Sequence, residues 1–338
     1  MNVPISVIMP VYNGAHHLSE AIESILSQSF TQFEFIIIND GSTDHSASII
    51  NMFTDARIRF IDSEKNEGLV SSLNKGLKLA TGAYIARMDQ DDKALPLRLQ
   101  RQYEYMQSHR DCVLLGTQVQ VMYGTKKSKL YCTDGELRTS LLFGTSFAHP
   151  TVMMKASVLK DQNIVYDERF KHAEDYGMWT TLAAYGKLAN LPDVFLEYRK
   201  HEQQYTKVFS EQMLHATRFI RNNYINSLGI AFNENDNDTF NTIAEKQLNM
   251  TDVSVFERIG SFLNQLPKLL QSSIIPQKAI QKVAYTQWKQ LCGERQKNGY
   301  NSYMVFARHS VYGLLKDTKT HLWFWKAILH PKRKMQQA

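Results

Sequence analysis

Three aspartates fall within four residues: Asp89, Asp91 and Asp92. They close an apolar run, Tyr84-Ile85-Ala86, with Arg87 just ahead of them. Carboxylates this close repel one another unless positive charge lies among them. Hard oxygen ligands at the end of a buried strand suit Mg²⁺ or Mn²⁺, ions that usually also hold substrate phosphates. An acidic turn capping a helix that starts near Leu95 explains the same residues, and the local sequence leaves both readings open. A second acidic pair, Glu174-Asp175, opens an apolar-periodic segment through Trp179, Leu182 and Tyr185. Negative charge is favoured at a helix start by the dipole alone. His149, held ahead of Pro150, reads as a structural histidine.

The elements that must position these groups alternate in type. Residues 5–9 (ISVIM) form a short β-branched run stopped by Pro10 and Asn13-Gly14. Leu18, Ile22, Ile25 and Leu26 recur at helical spacing. Residues 33–38 (FEFIII) give a second strand, which runs into the turn cluster 39–44, where Thr43 or Asp44 caps the next helix. Residues 58–61 give a third strand, followed by a helix through Leu69, Leu73, Leu77 and Ala80. This alternation predicts an α/β domain with a mostly parallel sheet.

Ligands of such sheets bind at the carboxyl ends of the strands. Pro10, Val11, Tyr12 and Asn13 follow strand one, and Asp40 follows strand two. Tyr12 offers a ring for stacking on a base. Asp40 accepts a hydrogen bond from a base or ribose, or else orders its own turn. No GxGxxG and no GxxxxGK[ST] are present, which weighs against a dinucleotide fold and a P-loop NTPase. Further on, the pattern predicts a helix over 95–107, a strand over 113–122 and a strand with a turn over 147–154. A hairpin over 188–198, turning at Pro192-Asp193, delivers Arg199, Lys200 and His201 to a loop.

The 338 residues suffice for one large domain or two smaller ones, and 43% hydrophobic content supports a sizeable core. Cys112, Cys132 and Cys292 form no CxxC pair, which points to a reducing compartment. No secretion signal and no run of eighteen apolar residues is seen, so a cytoplasmic protein is expected. Residues 1–200 hold 21 Lys+Arg against 23 Asp+Glu, whereas residues 201–338 hold 18 against 10. The excess of +8 in the second stretch points to an anionic partner there.

Five segments in order then resemble the family 2 glycosyltransferases of the GT-A fold: PVYNG at 10–14, INDGSTD at 38–44, ARMDQDD at 86–92, AEDYGMW at 173–179 and YRKHEQQ at 198–204. The resemblance implies a Rossmann-like mixed sheet flanked by helices over residues 1–208. Its nucleotide-sugar half would be about 1–92 and its acceptor half about 93–208, with a helical C-terminal region over 209–338. Carried over position by position, Pro10, Val11, Tyr12 and Asn13 would line the base pocket and Asp40 would read the base, usually uracil. Arg87 would lie near the diphosphate. Asp89-Gln90-Asp91 matches the DxD motif, with Asp89 and Gln90 toward the nucleotide and Asp91 on Mn²⁺ or Mg²⁺. His201 would approach the metal, and Asp175 would be the catalytic base. One departure is Ser72-Leu73-Asn74, where many relatives carry Ala-Arg-Asn, so one cationic contact to the donor is missing.

The implied partners are a nucleotide-sugar donor and a saccharide acceptor of the lipid-linked kind, in surface polysaccharide synthesis such as O-antigen or capsule. Residues 319–338 carry five Lys+Arg, no acid and the aromatics Trp323, Phe324 and Trp325. They fit an anionic membrane surface or a docking helix with a basic tail. A sugar-nucleotide pyrophosphorylase would want a glycine-rich, cationic loop after strand one, which Pro10–Gly14 lacks. A non-catalytic nucleotide-sugar-binding module is the other alternative, and no nucleic-acid motif is present.

Overall fold

The computed structural model describes residues 3–200, 211–245, 251–271 and 273–297, with Phe306 and His309. His201 and the aromatic-basic stretch at 322–334 lie outside them. The chain divides into two compact units, residues 1–137 with 145–220 and residues 138–144 with 221–338.

The first unit is built on an eight-stranded sheet of order β3-β2-β1-β4-β7-β6-β8-β5. β1 (Ile5–Val11), β2 (Phe33–Asp40), β3 (Ile58–Ser63) and β4 (Tyr84–Arg87) are parallel neighbours. Their near-continuous apolar sequences reflect burial on both faces; every residue of β1 and β4 is buried. The connecting helices α1 (Leu18–Leu26), α2 (Ser46–Asn51) and α3 (Leu69–Leu79) supply apolar faces such as Leu18, Ile22 and Ile25. The N-cap of α2 is His45 rather than Thr43 or Asp44, and Asp44, just before it, accepts the Ser46 N–H at 2.9 Å.

Beyond β4 the sheet is mixed rather than mostly parallel. The short β5 (Lys93–Ala94) forms the far edge, and α4 (Arg98–Ser108) leads into β6 (Cys112–Val121). β7 (Met153–Lys155) runs antiparallel to both β4 and β6. The stretch over 147–154 is therefore mostly not strand. His149–Thr151 forms a 3₁₀ turn with Pro150 near its start, and only β7 follows. The helices α5 (Asp134–Ser140), α6 (Ala156–Asp161) and α7 (Glu174–Leu182) complete this part, although α5 ends in the second unit.

The expected hairpin over 188–198 is one strand, β8 (Lys187–Tyr198), parallel to β6. Leu191 pairs with Thr117 and Val194 with Gln118, so Pro192 and Asp193 form a bulge. Proline has no N–H to give a ladder, and a bulge lets the strand pass over it without turning back. Pro10 likewise does not end its strand. It pairs with Ile38 of β2 after β4 has left β1 at Ile8, and β1 continues to Val11.

The second unit is helical, with α9 (Glu234–Ala244), α10 (Val253–Leu269) and α11 (Gln277–Lys297) following α8 (Glu211–Ser227). The polar stretch 233–241, which reads as a linker, is the start of α9. Asn233 caps it by accepting the Asp236 N–H at 2.9 Å, and Phe240 and Ile243 are buried beneath its polar face. Arg221 and Glu245 form a buried ion pair at 2.8 Å, supported by Asn241. Among the described residues no helix is long and apolar enough to cross a membrane.

The end of β2 is locked to the loop before α3 by a close approach. Gly41 has φ +66°, and a Cβ there would lie 2.4 Å from the Lys65 carbonyl carbon. Gly41→Ala is expected to destabilise the fold by about 1–3 kcal/mol through strain and backbone displacement. Urea unfolding checks this; an unchanged midpoint would mean the two loops separate freely.

Candidate active site

The carboxyl ends of β1, β2 and β4 gather three loops, and side chains stitch them together. After β1, Asn13 Oδ1 accepts the Thr43 N–H at 2.8 Å, and the Asn13 N–H donates to Ser42 Oγ at 3.0 Å. Ala15 N–H donates to Asp44 Oδ2 at 3.0 Å. Gln90 bridges from the acidic turn: its Oε1 accepts the Tyr12 N–H at 2.8 Å, and its Nε2 donates to the Tyr12 carbonyl at 3.1 Å. Gly14 makes room for this, since a Cβ there would sit 2.5 Å from Gln90 Oε1. Pro10 and Val11 are buried, while Tyr12 leaves 45% of its surface exposed.

Asp40 is buried, and its two oxygens accept the N–H groups of Glu67 and Gly68 at 2.9 and 2.8 Å. It orders the loop before α3, not its own turn. In α3, Asn74 takes both hydrogen bonds of the Tyr166 backbone, at 2.8 and 2.9 Å. Leu73, the residue at the departure from the family pattern, is buried.

In the acidic turn, one carboxylate oxygen from each of Asp89, Asp91 and Asp92 lies within 4.8 Å of the others. Arg87, buried at the end of β4, forms an ion pair with Asp89. Burial works against the Arg87 charge, but Asp89 and its neighbours more than offset this and raise the pKa. Burial, and then repulsion from the other carboxylates, raises the pKa of Asp92 well above the ordinary value. Asp89 is raised in the same way despite Arg87. Asp92 Oδ1 accepts the Arg199 N–H at 2.9 Å, while Asp92 Oδ2 is buried with no hydrogen-bond partner. Three clustered carboxylates, one with an orphaned oxygen, fit a hard divalent cation.

Arg98 lies beneath the turn with no exposed surface. Its Nη2 donates to the Arg87 carbonyl at 2.6 Å and its Nε to Gln102 Oε1 at 3.2 Å. Burial, and then repulsion from Arg87, pulls its pKa down to about 9, which leaves it charged at neutral pH.

Asp175, in the first turn of α7, faces the same charges. Burial, reinforced by Glu174, pushes its carboxyl up to about 7, while Arg87 pulls the other way. Arg87 and Asp89 also act on Glu174, and both act on the buried Tyr166. The acidic turn and Asp175 therefore lie within electrostatic reach of one centre. The Tyr166 hydroxyl meets His149 Nε2 at 3.1 Å. Burial and Arg87 lower the His149 pKa well below its ordinary value, so the ring is neutral.

Residues 6–161 match the family model "Glycosyl transferase family 2". An uncharacterized glycosyltransferase of Haemophilus influenzae is 31% identical over 247 residues, 67% of this chain and 76% of that protein. The chain belongs to glycosyltransferase family 2. An Escherichia coli relative, the O-antigen biosynthesis glycosyltransferase WbnJ, is 34% identical over 60% of this chain and 82% of that protein. Among solved structures, residues 1–349 of S. aureus TarS in complex with UDP-GlcNAc superpose with a TM-score of 0.58 at 20% identity. That match covers 98% of this chain and 93% of that one. The mixed sheet with its flanking helices is the GT-A fold.

In this glycosyltransferase, sequence reasoning assigned no role to Arg98, Tyr166 or Glu20, which meets Arg199. Asp92 is one of the three aspartates the sequence singles out, and Arg199 stands beside assigned residues; Tyr166 carries no local signal at all.

Asp175 makes a pH-dependent contribution to stability. An unfolded aspartate titrates near ~3.9, and the folded one at about 7. The folded-state pKa is raised, so the stabilisation is complete below ~4 and is lost as pH rises through 7. Asp175→Asn is therefore expected to raise Tm more at pH 8 than at pH 5. A Tm difference that stays flat between these pH values would rule out a carboxyl raised to about 7.

Proposed function

We propose that this glycosyltransferase moves a sugar from a UDP-sugar to an acceptor hydroxyl with inversion, in a reaction that depends on a divalent cation. The observation that carries this reading is Asp175, a carboxylate tuned to about 7 within the field of Arg87 and the acidic turn. A general base works best when its pKa lies near the working pH.

Tyr12 presents its exposed ring to the base, and Asp40 contributes the lone pairs it has not given to Glu67 and Gly68. The choice of uridine follows the family resemblance at Asp40 and the UDP-GlcNAc held by TarS. Asp91, with Asp89 and His201, would hold Mn²⁺ or Mg²⁺. When bound, that ion offsets the charge gathering on the departing nucleoside diphosphate. Arg87 stands beside the same site with two buried donors, Nε and Nη1, that have no protein partner. Asp175 takes the proton from the acceptor hydroxyl as that oxygen attacks the anomeric carbon. A single base and an in-line displacement invert the centre. Residues of 1–92 serve the donor and residues of 93–208 the acceptor. The transferred group is a hexose or N-acetylhexosamine.

The proposed acceptor is a lipid-linked saccharide of surface polysaccharide synthesis, in keeping with WbnJ, reached from the cytoplasmic face of the membrane. Residues 258–293 support such a peripheral position: they hold five Lys+Arg and no acid. Lys268 and Lys278 are exposed there, as is Ile274 at 75%. The aromatic-basic stretch at 322–334 would add to this surface.

Two variants separate donor binding from chemistry. Asp175→Asn is expected to bind UDP-sugar normally and lose transfer by about 10²–10⁴-fold. Asp91→Ala is expected to lose the Mn²⁺-dependent part of donor binding in calorimetry. Near-wild-type turnover of the first, or unchanged Mn²⁺ dependence of the second, removes that residue from its role.

A further inference from the structure

We propose that His149 reads the transferred sugar: its Nδ1–H donates a hydrogen bond to a hydroxyl or acyl oxygen of that sugar, and Tyr166 is the positioning residue that sets the ring. The inference rests on the UDP-sugar reading above. His149 opens the 3₁₀ turn that precedes β7. Directly after that turn the Arg87 N–H donates to the Val152 carbonyl at 3.0 Å, and Ala86 pairs with Met153. The turn is therefore fastened to the end of β4, which carries Arg87 and leads into the acidic turn. The His149 ring also meets Trp179 edge to face, with centroids 5.6 Å apart at 82°. Trp179 lies four residues after Asp175 on α7, so the two share a helix face. A sugar held between a diphosphate at Arg87 and a base at Asp175 must span the space between these two elements. His149 touches both.

The hydrogen bonding then fixes which nitrogen is free to donate. Tyr166 is 1% exposed, and burial keeps its phenol protonated. A buried hydroxyl proton left unpaired is costly. His149 Nε2, at 3.1 Å, is the acceptor that takes it. A neutral imidazole carries one proton, which is then on Nδ1. The hydroxyl is held in place from behind: Asn74 Oδ1 accepts the Tyr166 N–H, and Asn74 Nδ2 donates to the Tyr166 carbonyl. Nδ1 itself has no hydrogen-bond partner among the described residues. It is not sealed in the interior as the orphaned Trp179 Nε1 is, and His149 is only half-buried. A ring kept for packing alone needs no donor of fixed identity at an open position. A few placed polar groups of this kind set orientation and specificity in a binding site. An uncharged donor suits a sugar oxygen, whereas the charge of a diphosphate is matched by Arg87.

The readout is donor hydrolysis, UDP released from a UDP-sugar with water as acceptor, on the full chain with Mn²⁺. UDP affinity by calorimetry and a melting curve accompany each variant. UDP-glucose, UDP-galactose, UDP-GlcNAc and UDP-GalNAc identify the best donor. Its single-deoxy analogues follow, with the deacetylated one for an N-acetyl sugar. His149→Phe keeps a ring but loses the donor. It is expected to lower kcat/KM on the best donor by about 3–10-fold, the scale of one neutral hydrogen bond, with UDP affinity unchanged. On the analogue that lacks the oxygen being read, the same substitution should cost nothing. His149→Asn puts an amide N–H near the place of Nδ1 and should restore part of the loss. Tyr166→Phe frees the ring and should lower kcat/KM with the same pattern across analogues; it decides the matter if His149→Phe fails to fold. A loss equal on every analogue, a matching loss of UDP affinity, or wild-type values throughout overturns the proposal. If wild type releases UDP from none of the donors, the UDP-sugar reading itself has failed, and this proposal falls with it.

Discussion

The site depends on a buried balance of charge at the end of β4. Three aspartates crowd one side, and Arg87 and Arg98 lie among and beneath them. Arg98 is fully buried and makes no direct ion pair among the described residues; its compensation comes through space from Asp92 and Asp89. Taking any of these ions from water costs several kcal/mol, and removing one partner strands the others. Each charge is therefore tolerated because of the rest. The turn cannot relax by losing a carboxylate without leaving two arginines in an apolar interior. This ties the fold to the site: the carboxylates proposed to bind a cation are also those that offset the buried arginines.

Around that balance the loops are held by short polar links. Gln90 fixes Tyr12 by its backbone, Asn13 fixes the turn after β2, and Asp40 fixes the loop before α3. Their polar atoms are spent largely on the protein, while the Tyr12 ring at this edge is exposed. Groups fixed before a ligand arrives need little reorganisation when charge develops on it. Much of PVYNG and INDGSTD is engaged in these links.

How much of this could be read from the sequence depended on the range of the forces involved. β1 to β4 were legible because strands buried on both faces are continuous apolar runs bounded by turn residues. β7 and β5, three and two residues long, were not; their pairing is set by neighbours far along the chain. Pro192-Asp193 looked like a turn because a bulge and a hairpin use the same residues. Asn233–Asn241 looked like a linker because the α9 surface is polar and only Phe240 and Ile243 face inward. Asp89, Asp91 and Asp175 were legible through spacing and resemblance. Tyr166 was not, because its place comes from Asn74, 92 residues earlier. Glu20 lies 179 residues from Arg199 and has no local pattern to mark it.

Two aspartates on one site illustrate how environment assigns roles. Asp89 and Asp175 are the same side chain, and burial pushes both toward the protonated form. Asp89 has Arg87 in direct contact, which pulls against burial and gives its carboxyl an ion-pair partner. Asp175 feels Arg87 only at a distance and has Glu174 beside it, so it settles near neutrality, where taking up and giving back a proton are both easy. The Tyr176 N–H at 2.6 Å is a close stabiliser, a helix-start contact that pulls its pKa down against burial. Moving a cation next to Asp175 would lower its pKa and make it a weaker base. In the proposed chemistry Arg87 would therefore serve twice: by pairing with Asp89, and by acting on Asp175 only through space.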